Sequence, residues 1–173
     1  IVCKLLSVKV IARSNTAPIG WSNNIFKRYI FKKVLNLSDE VIVNSIEFKK
    51  DLKKELGINS ICIYNPLNSK EIIKKSKKKS QKIFSNSNKL KILNIGRFTD
   101  QKDQLTLLKS LKYLKKDIDF EACIVGRGIF KKKLQNYISE NKLKSFVKIL
   151  DFSKNPYPLI KQSDLFILTS KFE

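Results

Sequence analysis

Methionine and histidine are both absent from the 173 residues, and Asp and Glu together number only 15 against 36 Lys and Arg. With Ile at position 1, no Met anywhere and the apolar stretch "DLFILTSKFE" closing the sequence, the chain reads as an internal fragment of a longer protein. Cysteine is scarce. Cys3, Cys62 and Cys123 are odd in number, far apart and set in apolar stretches, which excludes a clustered metal site or a disulfide framework and predicts buried, reduced thiols in a cytosolic protein. No apolar run in these residues reaches the roughly 20 that cross a bilayer, and no signal peptide is visible among them; either would lie in the N-terminal part that the fragment lacks.

The shortage of acid leaves a formal net charge of +21, enough to concentrate anionic partners by long-range steering. Only Arg13, Arg28, Arg97 and Arg127 are arginines; the other cations are lysines. Such a surface is either simply solvated or works against an anionic membrane, where each nearby cation contributes about 1 kcal/mol. A nucleic-acid binder would interleave aromatics with its cations and show a known module, and neither is visible.

Short apolar runs alternate with longer helical patterns, the signature of parallel sheets covered by helices on both faces. Strands are predicted at 8–13, 40–45, 60–64, 91–96, 120–126, 146–150 and 165–170, rich in Val, Ile and Leu without strict alternation, as for strands buried on both faces. Helices are predicted at 22–37, 46–56, 101–116, 129–141 and 155–163, with Gly57 as a left-handed stop for the second. Within the first helix, Phe26, Ile30, Val34 and Leu37 share one face, which is expected to pack on its sheet, while its cations are available to anionic lipid. From Tyr64 to Lys89 the pattern breaks. One proline, many Ser and Asn, and eight lysines between Lys70 and Lys89 read as a linker with an exposed basic insertion. The expected fold class is α/β, with two parallel-sheet domains: the back half of one over 1–66 and most of a second over 67–173.

In open parallel sheets ligands bind at the carboxyl ends of the strands, which ranks the polar residues. In "LKILNIGRFTDQKDQLTLLKSL", Leu90–Leu111, Gly96 and Arg97 end a strand and Lys102 falls near the first turn of the next helix, where backbone N–H groups favour an anion. A glycine admits close backbone approach, and two cations then bracket a phosphate or diphosphate. "IVGRGIFKKKL" repeats the arrangement with Gly126 and Gly128, although G-x-G also serves plain tight turns. The pair Asp117 and Asp119, "DID", has the spacing of a divalent-metal motif, but it precedes a strand and so lies at the amino edge; no metal site is predicted.

Taken in order, "VIVNS…IYNPLN", "NIGRFTDQKD", "IVGRG" and "DFSKNPYPLIKQSDLFILTSKFE" resemble the retaining glycosyltransferases of family 4, also called group 1. The resemblance implies the GT-B architecture, two Rossmann-like domains facing a cleft, both incomplete in this fragment. It implies that Arg97 and Lys102 of the G-R-x(4)-K pattern hold the diphosphate of a nucleotide-sugar donor, that Gly96, Gly126 and Gly128 lie beside that donor, and that Glu173 opens the family's paired-glutamate signature near the donor sugar. Arg127 stands where the family often carries an acidic residue. "IARSNTAPIGWSNN" is similar to the acceptor-side loop of members that build lipid-linked sugars, placing Arg13 and Asn15 toward the acceptor. The family's common catalytic His would belong to sequence outside this chain.

The expected activity is transfer of a sugar from a nucleoside diphosphate to a saccharide or lipid-linked acceptor with retention, in surface polysaccharide or glycolipid synthesis. No cofactor, metal or nucleic acid is expected; the nucleotide-sugar is a substrate. The expected location is cytoplasmic, peripheral at the inner membrane face, with the fragment alone inactive. Two alternatives stand beside it: a nucleotide-sugar 2-epimerase of the same architecture, and a basic lipid- or nucleic-acid-binding module or inactive remnant.

Overall fold

The computed structural model describes residues 2–15, 24–85 and 88–171. They form two compact units, one through Leu67 and the other from Asn68 onward. Each is built on its own parallel sheet.

The first unit holds α1 (Val2–Leu5), β1 (Ile11–Ser14), α2 (Ile25–Asn36), β2 (Glu40–Val43), α3 (Ile46–Leu56) and β3 (Ile61–Cys62). Its sheet runs β1-β2-β3, with Ile11 beside Glu40 and Ile42 beside Ile61. Local chemistry sets both ends of α3. The Ser45 hydroxyl accepts the Phe48 N–H at 3.0 Å, and Gly57, at φ 69°, returns its N–H to Lys53 O at 2.9 Å. That left-handed stop is where the sequence puts it. Between the caps, Phe48, Leu52 and Leu56 recur every fourth residue and bury against Val41, Val43 and Leu35.

Helix α2 departs from expectation. Its Phe26, Ile30, Val34 and Leu37 are exposed, and the side that packs carries Phe31 and Leu35, beside an Arg28–Glu55 ion pair of 2.8 Å. A stripe of four apolar residues is therefore not this helix's inner face; a second, shorter stripe one position round is. The thiols also differ: only Cys123 is buried, whereas Cys3 is exposed and Cys62 half-buried.

The second unit holds α4 (Ser69–Ser76), β4 (Leu90–Ile95), α5 (Gln104–Leu114), β5 (Phe120–Val125), α6 (Lys131–Glu140), β6 (Val147–Leu150), α7 (Tyr157–Lys161) and β7 (Leu165–Phe166). The sheet order is β6-β5-β4-β7, all parallel. Alternate residues of the inner strands serve opposite faces. Ile92, Ala122 and Ile124 join Leu107, Leu108 and Leu111 of α5 and Leu134 and Ile138 of α6 on one side. Leu93, Cys123 and Val125 join Ile83, Phe84 and Leu159 on the other. Two buried faces account for inner strands that read as continuous apolar runs. Outer β7 is different, with Leu165 and Phe166 both exposed.

Ile83 and Phe84 correct the linker reading of 65–89. Asn68 accepts the Glu71 N–H at 3.0 Å and starts α4, and the chain then crosses the sheet face as a strap in which Ile83 and Phe84 are each 4% exposed. Ser85 gives its N–H and hydroxyl to the two oxygens of buried Glu121 at 2.7 and 2.6 Å, Cys123 Sγ–H donates to Ile83 O at 3.3 Å, and Gln162 accepts the Ile83 N–H at 3.0 Å. A segment with anchors at Glu121, Cys123 and Gln162 is a structural layer.

Successive connections run β4-α5-β5 and β5-α6-β6 in one direction, and α7 then returns the chain to the far side of β4 as β7. The reversal of strand order therefore falls at β4. Outside the carboxyl ends of strands at such a point is where doubly wound sheets bind ligands.

Candidate functional site

The turn leaving β4 begins with Gly96 and ends at Asp103, the N-cap of α5. Its shape is set from inside. Buried Gln104 donates from Nε2 to Arg97 O at 3.0 Å, fully buried Phe98 anchors the loop in the core, and Asp103, at φ 41°, accepts the N–H and hydroxyl of Thr106 at 3.3 and 2.8 Å. The α5 terminus is thus capped by its own carboxylate. One of the orphan N–H donors at this helix end is thereby satisfied within the chain.

Arg97 remains exposed, and Lys102 is half-buried with its Cβ and Cγ alongside Gly96. The segment after β7 is stitched to the same turn. Thr169 Oγ1 donates to Asp103 O at 2.9 Å, Lys171 N–H donates to Gln101 O at 2.9 Å, and Lys171 Nζ reaches both oxygens of Asp100 at 2.8 Å. The hydrogen bond to Asp100 holds the Lys171 ammonium above the usual lysine range. With Asp100 paired and Asp103 capping, the turn's acidic groups are engaged while Arg97 projects its guanidinium, whose planar fork of donors suits a phosphate.

The neighbouring turn explains the glycines. A Cβ on Gly126 would stand 1.9 Å from Gly96 O, and one on Gly128, at φ 154°, would stand 2.4 Å from Phe98 O. Only bare backbone lets Phe98 N–H reach Arg127 O at 2.9 Å and Phe130 N–H reach Phe98 O at 3.2 Å. The N–H groups of Gly96 and Gly126 donate to Val125 O and Leu150 O at 3.0 and 3.1 Å, so neither is available to a ligand. At Gly126 the N–H expected to face a ligand is thus paired within the chain, and Gly126 and Gly128 bring the two turns into contact.

Ile95, Gly96, Arg97, Gly126, Arg127 and Phe152 line a cleft of about 330 Å³ at the carboxyl edge. The Arg127 guanidinium stacks 5.0 Å over the Phe152 ring at its rim. Beyond the shared wall of Val125, Phe152 and Ser153 lies a larger cavity of about 570 Å³, bordered by Lys79, Asp151 and Asn155. Sequence reasoning passed over Phe98, Gln104, Phe152 and Asn155. Gln104 looks like any polar residue opening a helix, and Phe98 like a loop aromatic.

Gly128 and Lys102 do not line the smaller cleft. Glu173 lies outside the described residues. In the first unit, Arg13 donates to Asn65 Oδ1, and Asn15 is exposed just past β1. Asp119 sits at the amino edge, as its position before β5 predicts, paired with Lys89 at 2.8 Å and accepting the Leu90 N–H at 3.2 Å. Among the described residues no group of three or more His, Cys, Asp or Glu is placed to hold a metal, and no helix is long and apolar enough to cross a membrane.

Residues 75–173, more than half the chain, match the family described as glycosyl transferases group 1. The chain belongs to this family. Two uncharacterized glycosyltransferases of Methanocaldococcus jannaschii are similar to it, one 29% identical over 92% of this chain and 44% of its own length, the other 31% identical over 76% and 36%. The chain thus spans less than half the length of these curated relatives. Among solved structures, S. aureus TarM with UDP among its ligands aligns at a TM-score of 0.72, with 18% identity over 96% of this chain and 33% of TarM. Anabaena HepE in complex with UDP-glucose aligns at 0.71, with 18% identity over 97% and 48%. This group 1 chain therefore has the GT-B type of fold, in α/β units with two parallel sheets.

Proposed function

We propose that this chain is part of a glycosyltransferase that moves a sugar from a nucleoside diphosphate to a saccharide or lipid-linked acceptor with retention, in surface polysaccharide or glycolipid synthesis. In this reading 1–66 belongs to the acceptor domain and 67–173 to the donor domain, each continued by sequence outside this chain, and the fragment alone is inactive. What carries the reading is Arg97, exposed at the carboxyl end of β4, lining a cleft whose turn has its carboxylates engaged by Lys171 and Thr106.

Arg97 and Lys102 hold the diphosphate, whose negative charge grows as the sugar departs, so fixed cations there stabilise the transition state more than the ground state. Arg127, held on Phe152, adds positive charge at the same cleft. Glu173 lies close to the donor sugar, the leaving phosphate helps to take the acceptor proton, and no metal takes part. Arg13 and Asn15 face the acceptor. The parent protein works in the cytoplasm, peripheral at the inner face of a membrane.

TarM carries UDP and HepE UDP-glucose, so uridine diphosphate is the first nucleotide to titrate. Calorimetric titration of uridine, guanosine and adenosine diphosphates into the full-length protein, with Arg97→Ala alongside, tests the assignment. One base should bind, with chelator present, and Arg97→Ala should lose it. Equal binding by the variant would sink the diphosphate assignment.

A further inference from the structure

Helix α4 packs against α7, and Asn155 Nδ2 donates to Lys75 O at 3.0 Å across the junction. Two stretches of sequence about 80 residues apart thereby become one surface. Lys70, Lys74, Lys77 and Lys78 come from the first, Lys154 and Lys161 from the second, and all six are exposed. None has an ion pair among the described residues; the one acid in the stretch, Glu71, is taken by Lys75 at 2.6 Å. Ile73 and Ile160 are exposed among these lysines, 55% and 39% accessible. The strap fixes the surface in place through Ile83, Phe84 and Gln162, so its charge is not that of a loose tail.

We infer that this α4–α7 surface docks on an anionic lipid bilayer. Lysines interspersed with exposed isoleucines match an interface of anionic headgroups over acyl chains. Single-stranded nucleic acid needs a row of exposed aromatic platforms, whereas Ser69 to Lys82 has no aromatic and Tyr157, which opens α7 beside Lys75, is half-buried. A second copy is disfavoured by a net charge of +21 on each chain. Lys79, next in the strap, borders the larger carboxyl-edge cavity, so docking here sets the donor side of the unit against the headgroups. This deepens the proposed function by naming its membrane-facing surface.

The test reads binding and needs no turnover. The full-length protein is sedimented with phosphatidylcholine vesicles with and without phosphatidylglycerol, at low and high salt. Two variants accompany it: K70E/K74E/K77E/K78E, and K109E/K112E/K116E/K132E on the α5–α6 layer, with the same charge change. Binding should require phosphatidylglycerol and weaken with salt. The first variant should lose roughly 600-fold, at about fivefold for each of its lysines, and the second far less. Circular dichroism of both variants reports that they fold, independently of any nucleotide, and keeps failure of this inference distinct from failure of the donor reading. Equal losses in the two variants, binding indifferent to phosphatidylglycerol, or tighter binding to a duplex oligonucleotide at the same salt would each overturn the assignment. If the first variant fails to fold, wild-type vesicle binding that withstands high salt overturns it as well.

Discussion

Gly126→Ala and Gly96→Ala look alike in the sequence, each adding a methyl to a glycine that ends a strand, yet the structure separates them sharply. The new Cβ at 126 would lie 1.9 Å from Gly96 O and 3.0 Å from Phe98 Cε1, far inside the 3.4 Å at which ordinary contact begins. Backbone and a fully buried ring cannot yield by a rotamer change, so the β4 turn has to move. The bonds at risk are Gly96 N–H to Val125 O at 3.0 Å and Phe98 N–H to Arg127 O at 2.9 Å. With about 1 kcal/mol for each hydrogen bond and 1–3 kcal/mol for overpacking, the cost is about 3 to 5 kcal/mol. At 96 the Cβ meets Gln104 Nε2 at 3.3 Å and Lys102 Cγ at 3.7 Å, so a shift of a few tenths of an ångström in the Gln104 amide suffices and no backbone has to move. That cost stays under about 1 kcal/mol. Urea unfolding of the full-length protein followed by circular dichroism measures both; with a slope of about 2 kcal/mol/M, Gly126→Ala should lower its midpoint by roughly 1.5–2.5 M. If Gly126→Ala unfolds within about 0.5 M of wild type, or Gly96→Ala costs as much, the glycines are not packing devices and the reasoning fails.

Three further outcomes follow from named contacts. Arg97→Ala should weaken diphosphate binding by about 10- to 100-fold, the worth of a charged hydrogen bond, while Asp117→Ala with Asp119→Ala leaves it unchanged; calorimetry that ranked them the other way would move the site to the amino edge. Burial raises the Cys123 thiol from its ordinary 9.0 to about 11, with Lys148 opposing in part, so iodoacetamide at neutral pH should modify Cys3 and spare Cys123 until the protein unfolds, as peptide mass spectrometry would read. Because that native pKa is raised, the thiol's contribution is intact below about pH 9 and is lost between there and about pH 11, up to about 3 kcal/mol. Glu121→Ala removes both acceptors of Ser85, and should speed tryptic cleavage at Lys79 and Lys82 several-fold by loosening the strap; an unchanged cleavage rate would mean that Ile83 and Phe84 hold it alone.

All seven predicted strands exist because buried parallel strands leave an unmistakable pattern: continuous Val, Ile and Leu over a few residues between polar turns. Their ends are shorter than the apolar runs, since pairing stops where a partner does, and β3 and β7 keep only two residues each. The strap was illegible for the opposite reason. Ile83 and Phe84 form an isolated apolar pair in a run of Lys, Ser and Asn, with no period of 2 or 3.6. The groups that hold Ile83 and the adjoining Ser85, namely Cys123 and Gln162 for the first and Glu121 for the second, lie some 40 and 80 residues away. Local composition suggests a linker wherever a segment is anchored at so few points. The face of α2 failed differently: periodicity finds a stripe, but which of two stripes packs is settled by the neighbouring sheet.

At the site, the exposed position of Arg97 at the end of β4 was legible because a basic residue directly after a strand and a glycine has few structural duties. The backbone contacts of Gly126 and Gly128 were not, since a glycine admits a ligand and a neighbouring backbone through the same lack of a side chain. The structure assigns these two to the backbone of Gly96 and Phe98. A loss of activity on replacing either glycine would therefore report the shape of the turn and carry no information about ligand contact. Arg97 has the reverse character: its backbone carbonyl is held by Gln104, while its exposed guanidinium can be removed without disturbing that bond. Donor binding that falls in Arg97→Ala while the urea midpoint holds is thus the observation that separates a ligand contact from a folding defect, which no glycine variant in these turns can do.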